Sequence, residues 1–108
     1  VQSNGVTTNA LAWVNFNGST AVIRAGYNVS SVTRNGTGDY TVTFTNTLSD
    51  ANYSWSFGGD GSGARLNTFA VAKTNTAVPT TSAIRVQFFD DQSSSIDAVY
   101  ACVQIHGN

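Results

Sequence analysis

Six aspartates and no glutamate supply all the carboxylate chemistry of this 108-residue chain. One histidine, His106, and one cysteine, Cys102, are the remaining candidates for base, nucleophile or metal ligand. Asp60, Asp90, Asp91 and Asp97 fall in or beside two polar segments, 58–65 and 90–95. Two carboxylates flanking a glycosidic bond would make a hydrolase pair. Turn formation explains the same aspartates more simply, because Asp bonds its own backbone in loops. Calcium would need several oxygen ligands, and GGDGSG at 58–63 offers one carboxylate. The same glycine-rich run lacks the Lys-Ser/Thr and helix of a phosphate-cradling loop.

His106 has no partners from which to build a Ser/His/Asp arrangement and reads as a solvated imidazole at the end of the last strand. The sharper alternative is three copies meeting on a three-fold axis around a metal. Cys102 lies in a predicted strand without a basic neighbour, so it reads as a buried, inert thiol, and alone it forms no internal disulfide. Trp13, Tyr27, Trp55 and Tyr100 have rings that stack on sugars, but their strand positions predict core or interface. No catalytic group, cofactor or metal site is expected, and the chain reads as a non-enzymatic module.

Charged residues make up 10% of the chain, against about 25% in ordinary domains. Ser, Thr, Asn and Gly carry the polar surface instead. With a net charge of -1 and five dispersed basic residues, Arg24, Arg34, Arg65, Lys73 and Arg85, the chain has no electrostatic footprint for nucleic acid. No apolar run approaches the ~20 residues that cross a bilayer as a helix, so no membrane insertion is expected. Met is absent even from position 1, which leads us to expect a processed or partial chain.

The elements that must position these residues are strands. Tyr40, Val42 and Phe44 alternate with threonines after the turn-forming Asn35-Gly36-Thr37-Gly38-Asp39, the pattern of a half-buried strand leaving a hairpin. Ile84, Val86 and Phe88 alternate in the same way. Strands are predicted near 9–16, 20–25, 27–34, 40–45, 53–57, 66–73, 84–88 and 97–106, with Gly26 breaking or kinking the second and third. Residues 1–8 read as an extended lead-in and 9–108 as one domain. About eight strands and no helical period predict an all-β, antiparallel β-sandwich of jelly-roll or related Greek-key type, with a barrel as the alternative. Strand parity then gathers the loops at 17–20, 35–39, 58–65 and 90–95 at one end. If the chain continues from a shaft before Val1, that end is the distal tip.

The first strand is apolar on both faces, and residues 68–72 and 98–105 also turn apolar or small side chains outward. A single sandwich buries one face of each sheet. Leu11, Trp13, Phe89 and Tyr100 are therefore candidates for an interface between copies.

The ordered blocks AWVNFNG (12–18), AVIRA (21–25), NVSSV (28–32), NGTGDYTV (35–42) and DANY (50–53) resemble a module of bacteriophage tail-fibre and related virion proteins. The likeness covers the first half in detail and the second by strand pattern alone. It implies a homotrimeric tip domain in the virion, bound to a bacterial surface glycan or protein and to other virion proteins. A head-decoration, head-fibre or tail-assembly subunit with a purely structural role is the other implied reading. Small polar groups in the two distal loops make Gly59, Asp60, Ser62, Arg65, Asp90, Asp91, Gln92 and Ser94 the expected receptor contacts.

Overall fold

The computed structural model describes residues 2–3, 6–7, 10–59, 68–90, 92 and 94–107. Two short strands, β1 (Gln2–Ser3) and β2 (Val6–Thr7), pair with each other, where an extended lead-in was expected. The sandwich is built from β3 (Ala10–Asn17), β4 (Val22–Tyr27), β5 (Val29–Gly36), β6 (Asp39–Phe44), β7 (Ser54–Gly59), β8 (Thr68–Ala72), β9 (Ala83–Asp90) and β10 (Ala101–His106).

These eight strands form two antiparallel four-stranded sheets, ordered β4-β3-β10-β7 and β5-β6-β9-β8. Local hairpins supply β3–β4 and β5–β6. The late strands β9 and β10 then return to the centres of the two sheets, beside β6 and β3. This is a Greek-key type of closure. In a roll made by folding one long hairpin, β9 would pair with β4.

Alternation places the core. Ala12, Val14 and Phe16 of β3 and Ala101, Val103 and Ile105 of β10 face inward from the first sheet. Tyr40, Val42 and Phe44 of β6 and Ile84, Val86 and Phe88 of β9 meet them from the second. Every one of these twelve is buried, and all come from the four central strands, which have a neighbour on each side. The rings of Phe16, Tyr40 and Phe88 meet edge to face, with centroids 5.0 and 5.9 Å apart.

Several sequence expectations are corrected here. Gly26 does not interrupt the chain; it pairs with Val14 inside β4. The break falls at Asn28, whose φ of 57° turns the chain from the first sheet to the second. The last strand begins at Ala101, because residues 96–100 are spent crossing between sheets. Cys102 is half-buried on the outer side of β10, out of phase with Ala101 and Val103. Trp13, Tyr27, Trp55 and Tyr100 are 40, 48, 40 and 52% exposed, so none belongs to the core. Trp13 and Tyr27 lie opposite each other on the outer face of the first sheet, and Trp55 sits on edge strand β7, where the inner face is incompletely covered.

Candidate functional site

The loops at 17–21, 36–39 and 90–100 and the end of β7 meet at one end of the sandwich, the tip. The opposite end, where Ala10 pairs with His106, is the base. Gly38 makes the β5–β6 hairpin possible: its φ of 71° lies in the left-handed region, and an added Cβ would press on the Ile96 and Phe88 carbonyls.

Asp97 fastens this hairpin to the crossing segment. Its Oδ1 accepts the Gly38 N–H at 2.7 Å, and the Arg34 guanidinium donates to Oδ2 at 2.7 Å. The Tyr40 hydroxyl lies 2.8 Å from the same Oδ1 and 2.9 Å from the Gly18 carbonyl, so its one hydrogen is shared between two acceptors. Gly18 in turn donates to the Ala98 carbonyl at 2.7 Å, tying in the β3–β4 turn. One carboxylate thus connects three loops. Burial pushes the Asp97 carboxyl up, but bonds from Arg34, the Gly38 N–H and Tyr40 outweigh it and leave it below the usual range. Burial first, and Asp97 second, push the Tyr40 phenol well above its ordinary value.

A second ionic cluster lies beside it on the outer face of the second sheet. Arg85 grips Asp39 with two parallel bonds of 2.8 Å, and the Lys73 ammonium adds a third at 2.9 Å. Arg85 above all holds the Asp39 carboxyl far below the usual range, against the opposing effect of burial. Both aspartates are ionised and occupied as acceptors, so neither is poised as a general acid. Among the described residues no three of His, Cys, Asp and Glu come together as metal ligands.

The expected receptor contacts divide into three groups. Asp60, Ser62, Arg65 and Asp91 lie outside the described residues. Asp90 is 5% exposed, and its Oδ1 accepts the N–H groups of Gln92 and Ser94 at 2.8 and 2.9 Å, closing the loop on itself. It supports the loop from beneath. Gly59 is exposed at the tip end of β7, where a Cβ would stand 3.0 Å from the Phe88 ring and 3.1 Å from the Tyr100 carbonyl. Gln92 and Ser94 are exposed at the tip.

The four interface candidates are not on one surface. Leu11, Trp13 and Tyr100 belong to the first sheet's side, where Arg24 stacks over the Tyr100 ring at 4.1 Å. Phe89 is on the opposite side, stacked against Phe69 at 5.3 Å. His106 is exposed at the end of β10.

Sequence reasoning passed over Asp39, Arg34, Lys73 and Arg85 as paired groups. The usable signal was phase: with Tyr40 and Val86 facing inward, Asp39 and Arg85 must share the outer face of neighbouring strands. The fold and this end together define an antiparallel two-sheet sandwich whose loops are collected and anchored at one pole. No family model, curated protein sequence or solved structure matches the chain.

Proposed function

We propose that the protein is a virion adhesion module, the tip domain of a homotrimeric phage tail fibre that binds a bacterial surface glycan or protein. The observation that carries this reading is the convergence of loops from both sheets on one end, fixed through Asp97, with Gln92 and Ser94 exposed there. A rigid scaffold presenting polar loops at one pole is how many binding proteins place their contacts. Multivalency lets three copies make weak single contacts add to firm attachment.

A specific observation also favours a second reading, a head-decoration, head-fibre or tail-assembly subunit. The two sides of the sandwich carry different exposed apolar groups: Trp13 and Tyr27 on one, Phe69 and Val71 on the other. The same faces could hold other virion proteins.

Fluorescently labelled protein tested for adsorption to a panel of bacteria separates the readings. Replacing Gln92 and Ser94 by Ala should abolish adsorption while the trimeric mass is unchanged. Unaffected adsorption would remove the tip loops from recognition, and adsorption to no bacterium would favour the structural subunit.

A further inference from the structure

A cavity of about 440 Å³ opens at the base, away from the anchored loops, between the β3 and β4 ends and the segment after β6. That volume is within the range of small-molecule sites. Leu11 and the half-exposed Tyr27 supply apolar wall, while Thr45, Asn46 and Thr47 supply hydroxyl and amide groups. Among the described residues nine line it, and none of these is charged. Among the described residues, the side chains of Thr45, Asn46 and Thr47 have no hydrogen-bond partner.

Asn28 sets this wall in place. Its side-chain amide donates to the Leu11 carbonyl at 3.1 Å and the Asn46 carbonyl at 3.2 Å, and its Oδ1 accepts the Asn46 N–H at 2.7 Å. A second clasp, from the Thr45 N–H to the Asn28 carbonyl, is 3.1 Å long. These bonds fix Asn28 in left-handed backbone, which asparagine adopts more readily than most other non-glycine residues. The cavity is therefore formed before any ligand arrives, which lowers the entropy cost of binding.

We propose that this cavity binds one uncharged sugar residue, a neutral hexose or N-acetylhexosamine, with its C–H face against Tyr27 and its hydroxyls on Thr45, Asn46 and Thr47. A sugar ring is amphipathic in the same way as the wall: it has an apolar face for an aromatic ring and hydroxyls that need donors and acceptors. Phosphate, carboxylate or nucleotide ligands would meet no cation among the described lining residues. Trp13, opposite Tyr27 on the same outer face, extends the aromatic platform toward a next sugar. The site does not depend on recognition by the tip loops and would stand if that reading failed.

The test is an amide chemical-shift titration of the intact chain with glucose, galactose, mannose, rhamnose and N-acetylglucosamine, with glucuronic acid as the charged comparison. At least one neutral sugar should give saturable shifts at Leu11, Asn28 and residues 45–47, and glucuronic acid should bind about tenfold more weakly or not at all. Tyr27→Ala and Asn46→Ala, both at exposed positions, should each weaken binding about tenfold with the rest of the spectrum unchanged. No saturable shift with any of the five, shifts confined to the tip, equal binding of glucuronic acid, or wild-type affinity in both variants would each overturn the proposal.

Discussion

The two ends of the sandwich solve the same problem with opposite chemistry. Each must fasten loops that leave the sheets to a crossing segment. At the tip the fastener is ionised: Asp97 gathers Arg34, the Gly38 N–H and Tyr40, with the Asp39, Arg85 and Lys73 cluster close by. At the base it is neutral: the Asn28 amide gathers Leu11 and Asn46. A carboxylate makes stronger bonds but responds to pH, whereas an amide does neither. The Asp97 fastening at the tip should therefore respond to pH, and the Asn28 fastening at the base should not.

The largest effect expected from breaking this contrast is at the tip. Asp97→Ala leaves the Gly38 N–H without its acceptor, removes the Arg34 ion pair and leaves the Tyr40 hydroxyl only the Gly18 carbonyl, and should cost about 2–3 kcal/mol in urea unfolding. The corresponding cut at the base, Asn28→Ala, loses three side-chain bonds and keeps a β-carbon at positive φ; about 2 kcal/mol is expected. Asn28→Gly removes the same bonds but relieves the backbone, so it should cost about 1 kcal/mol less than Asn28→Ala. If the two variants are equally unstable, backbone strain at Asn28 has been overestimated.

Ala21 sharpens the comparison from the other side. Its φ of 58° is like that of Asn28, but it has no side-chain amide to hold it there. Ala21→Gly should raise stability by about 0.5 kcal/mol, the relief of the left-handed conformation less the extra freedom of glycine in the unfolded chain. A fall in midpoint would mean that packing of the Ala21 methyl matters more than its backbone.

Much of the fold was legible because local pattern and tertiary burial agree. The alternation in β6 and β9 named the inward residues, and the Asn-Gly-rich turn between β5 and β6 marked its hairpin. Strand parity brought the described tip segments together even with the break placed at Gly26, because the count of strands does not depend on which residue divides β4 from β5; residues 60–65 of the fourth loop lie outside the described residues. Asn28 escaped notice because Tyr27-Asn28 is no recognised turn pair, and its conformation is held by partners 17 and 18 positions away. Asp97 and Arg34 are 63 positions apart, and Asp39 and Arg85 46, distances that periodicity does not span. Trp13 and Tyr27 were assigned to core or interface because period-two alternation cannot tell a face packed on a second layer from one that is not.

The claim that ionised aspartates hold the tip is tested most directly by amide exchange as a function of pH, corrected for intrinsic rates. The Asp39 and Asp97 carboxyls are depressed in the folded state, so their stabilisation is complete above the ordinary carboxylate range near pH 4 and is lost as pH falls through their folded values. On acidification below about pH 4, the Gly18, Gly38 and Phe88 amides should lose protection while those of Thr45 and Asn46 keep theirs. Simultaneous loss at both ends, or earlier loss at the base, would contradict the account.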